Sequence, residues 1–308
     1  MELPEISKRK FIYSIPQLLD RGIILLDKPP RLTSHETSAF VKNILGISKA
    51  GHSGTLDPDV SGVLIVALNK ATRFLEFLKD YDKEYVCLMR LYSKPGIPKI
   101  KTAMSKFVGI ISQQVPLMAA VRRTIRKREI KSLHVLDWCE NQLTTDVLFH
   151  AKVQSGTYIR VLCEDIGKSL GTKGKMLELR RTAVGPVSEN NAPMCTLQEL
   201  WRAFLIWKEK GDESLLRRYL IPIDTFSQFP SAVLKPTYIR RACCGAALYQ
   251  DSFVSFPSHA NCFNSKYISV FDNLGRLVCV AELTTSNKTT QIIAIPKKVF
   301  LSVESTKS

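Results

Sequence analysis

Apolar and polar residues alternate along the chain in patterns that predict a mixture of short strands and amphipathic helices. The apolar run from Gly22 to Asp27 ends at Lys28 and two prolines, which favours a strand entering a rigid turn. A helix is predicted next, because Thr33 and Glu36 have the spacing of a capping box. The apolar face of this helix is predicted to comprise Phe40, Val41, Ile44 and Leu45.

An irregular loop and two further strands follow. Residues 51–59 contain two glycines and an Asp-Pro step, which favour a non-repetitive backbone. Residues 62–68 and 83–91 are rich in residues that form strands. Between them, Asn69 is placed to cap a helix. The residues that this helix is expected to bury are Phe74, Leu75 and Leu78.

Residues 147–222 repeat this mixture of strand and helix patterns. Alternation over residues 147–153 predicts a strand. Residues 159–170 have apolar positions on one helical face, and Gly171 is placed to end that helix. A helical, aromatic-rich stretch then extends to Pro222.

The pattern changes beyond Pro230. Short β-like runs are joined at Asn273-Leu-Gly275, a sequence that favours a hairpin turn. The sequence therefore predicts a large α+β region over residues 1–230 and a small β-rich module over 231–308.

The charge balance indicates a polyanionic partner. Lysine and arginine number 44 against 28 acidic residues, which gives a net charge of +16. Such a field attracts nucleic acid and raises its encounter rate. An ordinary basic surface is the alternative, and an anionic membrane surface has less support.

The cysteines and the apolar runs indicate the compartment. The eight cysteines are scattered and form no C-x-x-C pair, so no metal site is predicted. Neither an N-terminal apolar leader nor an apolar run long enough to span a bilayer is visible. We therefore expect reduced thiols and a cytosolic or nuclear protein that is not bound to a membrane.

The candidate chemistry lies in the loop around Asp57. An aspartate before a proline is by itself more often a turn former than a catalyst. Residues 51–64, GHSGTLDPDVSGVL, nevertheless resemble the central motif of the TruB and dyskerin family of pseudouridine synthases. That resemblance implies that Asp57 is the essential nucleophile of an isomerase.

Four more segments resemble motifs of the same family, in the same order along the chain. They are LDKPPRLTSHE at 26–36, KEYVCLMRL at 83–91, SGTYIRVLCEDIGKSLG at 155–171 and MLELRRTAVGP at 176–186. The resemblance implies that Arg160 assists Asp57 and that Tyr85, Tyr158, Leu179 and His52 hold the target nucleotide. Core packing is the alternative for the two tyrosines and Leu179. The residues expected to contact RNA are Lys28, Arg122, Arg123, Arg180, Arg181, Arg240, Arg241 and Gly245.

The implied reaction needs no redox cofactor. Making pseudouridine breaks a glycosidic bond, turns the uracil and joins it again through carbon. A carboxylate can attack the sugar C1′ or remove a proton to give a glycal, and the sequence leaves both routes open. A guanidinium beside Asp57 would orient that carboxylate. An aromatic face and an apolar floor are expected in the pocket, because the base must leave its stack.

Several segments are more similar to the dyskerin branch than to bacterial TruB. They are TSHE at 33–36, HSGTLDPDVSGVL at 52–64, AAVRR at 119–123 and DESLLRRYLIPID at 212–224. This resemblance implies a central, mostly antiparallel sheet flanked by helices and a terminal PUA domain. It also implies a box H/ACA guide RNA, a target in ribosomal or small nuclear RNA, small core proteins of the particle, and a nuclear, nucleolar location. A stand-alone transfer RNA synthase and a non-catalytic scaffold for guide RNAs are the alternatives.

One segment departs from the family pattern. Residues 113–123 contain Val115 and Met118, where relatives tend to have a proline and often a basic residue. This segment corresponds to the thumb region of the family. Because it departs from the family pattern, the resemblance does not establish how it binds RNA.

Overall fold

The computed structural model describes residues 13–114, 124–257, 265–284 and 292–301. These residues form two sheets flanked by helices, and the larger sheet has eleven strands. Its strands are β1 (Gly22–Lys28), β2 (Ala50–Ser53), β3 (Ser61–Leu68), β4 (Lys83–Leu91), β5 (Gly109–Gln114), β6 (Ile125–Glu140), β7 (Thr145–Val153), β8 (Gly174–Val184), β9 (Val187–Ser188), β10 (Met194–Cys195) and β11 (Ile221–Pro222).

Helices precede the first strand, lie between the strands of the larger sheet, and also occur between strands of the second sheet described below. The α-helices are α1 (Ile15–Arg21), α2 (Ser34–Leu45), α3 (Leu75–Leu78), α4 (Ile97–Ser105), α5 (Ile159–Ser169), α6 (Leu197–Lys210), α7 (Ser214–Tyr219) and α8 (Pro236–Cys243). The 3-10 helices are Asn69–Phe74, Ile223–Phe226 and Gln250–Ser252. No helix within the described ranges is both long and apolar enough to cross a bilayer.

The main path of the large sheet runs β10-β1-β3-β8-β4-β7-β6-β5. Neighbours on this path are antiparallel except for β1 with β10 and β3 with β8. The predicted α+β class with a mostly antiparallel central sheet is therefore confirmed. The parallel contact between β3 and β8 is the one that matters for the site, since it joins the strand after Asp57 to the strand that carries Leu179.

Two details of the helix predictions are wrong. Phe40 is 48% exposed, because α2 buries the neighbouring stripe of Thr37, Val41 and Leu45. The capping box from Thr33 to Glu36 is confirmed. Asn69 caps no helix: its side-chain oxygen accepts hydrogen bonds from the Ser48 hydroxyl and the Lys49 amide.

The second sheet has six strands and packs against the first. Its strands are β12 (Ser231–Leu234), β13 (Leu248–Tyr249), β14 (Phe253–Ser255), β15 (Tyr267–Phe271), β16 (Leu277–Leu283) and β17 (Ile292–Val299). The predicted hairpin is confirmed, because β15 and β16 pair antiparallel across Gly275 at φ 77°.

One hydrophobic cluster contains residues from both sheets. The rings of Phe74 and Phe300 lie 6.0 Å apart, edge to face. Nearby, Arg73 donates a hydrogen bond to the Val299 carbonyl at 3.0 Å, and Leu277 donates one to the Tyr13 hydroxyl at 3.2 Å. Apolar packing and hydrogen bonds therefore both join the sheets, while the division at residue 231 into two domains stays a prediction.

Candidate active site

Asp57 and Arg160 lie side by side although they are more than a hundred residues apart in sequence. Asp57 belongs to the loop between β2 and β3, and Arg160 lies in the first turn of α5. The Arg160 Nη2 atom is 3.6 Å from the Asp57 Oδ2 atom. The side chains are 40% and 54% exposed, respectively. An exposed carboxylate beside a guanidinium can be reached by a nucleotide and held in one orientation.

The buried ammonium of Lys28 stabilises the loop that carries Asp57. Lys28 ends β1 and donates hydrogen bonds to the carbonyls of Pro29, Pro58 and Val60 at 2.8 to 2.9 Å. The side chain is fully buried, and burial lowers the pKa of Lys28. Its three donors are thus used inside the protein. The interpretation of Lys28 as a contact for RNA is therefore corrected. Lys28 instead stabilises the turn that contains Asp57.

Ser34 holds the other side of the same loop. Its buried hydroxyl accepts a hydrogen bond from the Leu56 amide at 2.9 Å and donates one to the Leu56 carbonyl at 3.2 Å. The turn itself closes with a bond from the Val60 amide to the Asp57 carbonyl at 3.0 Å. Sequence reasoning did not assign Ser34 a role, although its place in the TSHE segment was a usable signal.

Arg181 also turns out to be an internal residue. Its guanidinium donates to the Val63 carbonyl at 2.8 Å and to the Gly54 carbonyl at 2.9 Å, and the side chain is buried. Burial lowers the pKa of Arg181, and the neighbouring Tyr85 offsets part of this effect. The interpretation of Arg181 as an RNA contact is corrected, since its donors are directed at the backbone that flanks the Asp57 loop.

The close approach of β3 to β8 requires a glycine. Gly62 lies opposite Arg181 in the parallel pair and has φ 102°. A Cβ atom at this position would lie 2.2 Å from the Arg181 carbonyl oxygen. Glycine at position 62 therefore lets β3 approach β8 closely enough for the Arg181 side chain to contact the backbone that flanks the Asp57 loop.

Tyr85 and Leu179 meet the Asp57 loop in one apolar cluster. Leu56 and Val60, on either side of Asp57, pack in the same cluster as Tyr85. Leu179 is partly buried against it. Tyr85 lies opposite Arg181 on β8. These residues pack together as a core cluster around the Asp57 loop, and the role of Tyr85 and Leu179 in holding a base stays a prediction.

Tyr158 is placed at the start of α5. It is the residue before the first helical one and is half-buried. Its backbone amide and carbonyl both form hydrogen bonds with the side-chain amide of Gln113. Arg160 follows two residues later. Sequence reasoning missed Gln113, and no local pattern distinguishes it from its neighbour Gln114.

His52 lies on β2 and is half-buried. Its Nδ1 atom is 3.4 Å from the Ser38 hydroxyl oxygen. Burial lowers the pKa of His52, and the charges of His35 and Arg181 lower it further. The imidazole is therefore neutral at physiological pH, which fits a hydrogen-bonding contact better than a cationic one.

The remaining basic candidates are ion-paired, exposed on α8, or outside the described ranges. Arg180 pairs with Asp27 at 2.9 Å and with Glu189 at 2.8 Å. Arg240 and Arg241 are exposed in the last turn of α8, and Gly245 follows with φ 77° and open space around it. Arg122 and Arg123, like Val115 and Met118, lie outside the described residues.

The described ranges contain no group of three or more histidine, cysteine or acidic side chains that could hold a metal ion. Seven cysteines lie in these ranges and all are free thiols. Cys262 lies outside the described residues.

Two family models match the chain in succession. The model of the N-terminal domain of TruB family pseudouridylate synthases matches residues 42–159. The model of the C-terminal domain of tRNA pseudouridylate synthase B matches residues 160–227. The first of these matches contains Asp57, and the second begins at Arg160.

Curated archaeal relatives match most of the chain. A probable tRNA pseudouridine synthase B of Methanosarcina barkeri is 41% identical over 275 residues, which cover 89% of this chain and 79% of the relative. The corresponding protein of Methanocaldococcus jannaschii is 46% identical over 236 residues, which cover 76% of this chain and 68% of the relative.

Solved structures match both sheets. A chain in the crystal structure of a Cbf5-Nop10-Gar1 complex superposes with a TM-score of 0.82 at 36% identity, covering 96% of this chain and 90% of that one. A chain in the structure of an H/ACA RNP bound to a substrate RNA containing 2′-deoxyuridine has a TM-score of 0.79 at 35% identity. That match covers 94% of this chain and 88% of the other.

Proposed function

Because the chain belongs to the TruB family of pseudouridylate synthases, we propose that it isomerises uridines selected by a box H/ACA guide RNA. The chain is an RNA pseudouridine synthase, an isomerase. The guide, the target in ribosomal or small nuclear RNA, and the catalytic role of Asp57 are the proposed parts.

Asp57 carries the reaction in this proposal. Its carboxylate is more than half exposed, so the sugar C1′ of an extruded uridine can approach it. Arg160 orients the carboxylate from 3.6 Å away. In this proposal Tyr85 and Leu179 supply a face and a floor for the displaced uracil, and the support is that both pack in one apolar cluster with the residues that flank Asp57. The neutral imidazole of His52 is proposed as a contact for RNA.

One observation carries the guide-dependent part of the proposal. The likeness to the chain of the Cbf5-Nop10-Gar1 complex extends over 96% of this chain, so it includes most of the second sheet as well as the catalytic region. In a guide-dependent particle, base pairing by the guide supplies the sequence readout and the protein contributes contacts to the RNA backbone. Exposed Arg240 and Arg241 on α8, with Gly245 beside them, are suited to such contacts in a PUA domain.

Small core proteins of the H/ACA particle, of the Nop10 and Gar1 type, are the proposed protein partners. The support is that the matched chain is complexed with both in the solved assembly. A nuclear, nucleolar location follows if the particle acts on ribosomal RNA precursors.

A second candidate function has its own support. The two curated relatives described above carry the name probable tRNA pseudouridine synthase B, and they match 89% and 76% of this chain. A stand-alone enzyme of this kind would recognise a transfer RNA stem-loop directly and would need neither guide nor partner.

Product formation under matched conditions separates these functions. Purified protein is given a target RNA with a guide and the core proteins, the same target with a guide of scrambled pairing sequence, or a transfer RNA stem-loop alone. Pseudouridine is counted in each product. Our proposal predicts product only with the matching guide. Product on the stem-loop without a guide would instead establish the transfer RNA function, and guide binding without product in any arm would indicate a scaffold.

A further inference from the structure

Gln113 occupies an unusual position on the edge of the large sheet. β5 is the terminal strand of the main path, and its other residues are half-buried or exposed. Gln113 itself is 2% exposed. Burying a primary amide is unfavourable unless its donor and acceptor are both used. The side chain must therefore be held there by specific partners.

Those partners are the two backbone groups of a single residue. The Gln113 Nε2 atom donates to the Tyr158 carbonyl at 3.1 Å, and the Tyr158 amide donates to the Gln113 Oε1 atom at 3.0 Å. The amide thereby pairs with Tyr158 as a neighbouring strand residue would. Two opposed hydrogen bonds fix the peptide groups of Tyr158 in both position and orientation.

Tyr158 determines where α5 begins. Its carbonyl also accepts the first hydrogen bond of the helix, from the Leu162 amide at 3.0 Å. No side chain caps the helix at this residue. Arg160 follows in the first helical turn, so the direction of its side chain depends on how the Tyr158 peptide groups are held.

The contact between Arg160 and Asp57 is sensitive to small displacements. Its nitrogen-to-oxygen distance of 3.6 Å is already longer than a good charge-assisted hydrogen bond. A further shift of a few tenths of an ångström at the helix start would separate the two groups. Catalytic geometry tolerates such shifts poorly, and a displacement of about 1 Å can reduce a rate by about a hundredfold.

The turn before Tyr158 is anchored on its other side as well. The Lys83 ammonium donates to the Ser155 hydroxyl at 2.8 Å, and the Gln154 side chain accepts from the Glu129 amide at 3.1 Å. These anchors hold the beginning of the turn. Of the anchored residues, Tyr158, which Gln113 holds, is the nearest to Arg160 along the chain.

We propose that Gln113 is a positioning residue of the pseudouridine synthase site, which acts by holding Tyr158 and, through it, the Arg160 side chain against Asp57. The inference rests on the proposed roles of Asp57 and Arg160. The Gln113 side chain bonds to Tyr158 and not to the carboxylate or the guanidinium itself, so its effect is transmitted through the first turn of α5.

The test compares Gln113→Leu, which removes both hydrogen bonds at similar volume, with Thr145→Val. Thr145 is also buried and bonded through its side chain to a backbone carbonyl, that of Ser93, at the end of β7 remote from Tyr158. Turnover is measured on whichever RNA substrate the wild type converts, together with thermal unfolding. We expect Gln113→Leu to lower kcat by about 10- to 100-fold with little change in KM. Thr145→Val should keep the kcat of the wild type, and equal kcat losses in the two variants would overturn the proposal.

Gln113→Glu provides a readout that a purely structural role would not change. Its carboxylate can still accept from the Tyr158 amide, but only the protonated acid can donate to the Tyr158 carbonyl. Burial raises the pKa of such a carboxyl. The kcat of this variant relative to wild type should therefore rise as the pH falls from 8 to 6. A constant ratio across that range would contradict the proposed contact.

A double variant shows whether the effect passes through Arg160. Arg160→Lys alone should lower kcat, and Gln113→Leu should add less than about a twofold further loss in that background. If the fold-loss of kcat in the double variant equals the product of the losses in the two single variants, Gln113 does not act through Arg160. If Arg160→Lys instead leaves kcat unchanged, the proposed role of Arg160 fails, which is a separate outcome from the failure of Gln113→Leu.

Discussion

The ammonium of Lys28 donates a hydrogen bond to the carbonyl of Pro58, the residue directly after Asp57. The same nitrogen donates to the Val60 carbonyl, so one buried cation spans the turn that presents the candidate nucleophile. The loop geometry therefore depends on a residue at the end of β1, thirty positions earlier in the chain.

Lys28→Met should lower both stability and turnover. The substitution keeps an unbranched side chain of similar length but leaves buried carbonyls without their donor, which costs about 1 to 3 kcal/mol. Urea unfolding measures the first effect, and kcat on a converted RNA measures the second. Lys42→Met, on the exposed face of α2, is the matched control and should behave as wild type. A Lys28 variant with the stability and turnover of the wild type would refute the proposed support of the loop.

Much of the local structure could be predicted from the sequence because its causes are local. The capping box at Thr33 and Glu36 was confirmed, and so was the hairpin turn before Gly275. Strand β4 has the bounds that its residue types predict, Lys83 to Leu91. In each of these cases, neighbours within a few positions determine the conformation.

The roles of the basic residues could not be predicted in the same way. Lys28 and Arg181 belong to motifs expected to contact RNA, yet both are buried and donate to backbone carbonyls near Asp57. Whether a cation faces solvent or the interior depends on packing between β1, β3 and β8. The role of Gln113 could not be predicted either, because its partner Tyr158 is distant in sequence.

Asp57→Asn should abolish product formation while target RNA still binds. The carboxamide has nearly the same shape as the carboxylate, but it can neither attack C1′ effectively nor remove a proton. Pseudouridine in the RNA product and binding of the target are measured separately, with guide and core proteins present if the reaction requires them.

Asp59→Asn is the matched control for that experiment. Asp59 is also exposed in the same loop, so the variant makes the same change of charge two residues away. It should retain turnover. If Asp57→Asn still makes product, or if both variants lose turnover equally, Asp57 is not the nucleophile.

Lys83 gives a prediction about the pH dependence of stability. Its ammonium is buried and donates to the carbonyls of Lys79 and Tyr81 and to the Ser155 hydroxyl. Burial lowers the pKa of Lys83 to about 8, from 10.5 for an unperturbed lysine. Between these two values the unfolded chain holds a proton here that the folded protein has released. Stability rises with pH wherever the unfolded state binds more protons.

The contribution of Lys83 to the free energy of unfolding should therefore increase from pH 8 to pH 10.5 and be lost as the pH falls through about 8. The full increase is at most about 3.5 kcal/mol, since one pKa unit corresponds to about 1.4 kcal/mol. Urea unfolding of wild type and Lys83→Met at pH 7 and pH 9.5 measures it, and the difference should shift in favour of the wild type at the higher pH. Lys131→Met is the control, because a hydrogen bond with Asp82 raises the pKa of Lys131 and keeps this lysine protonated at both pH values, so its difference from the wild type should not change between them. A difference between wild type and Lys83→Met that is the same at both pH values would show that Lys83 keeps its ordinary affinity for the proton.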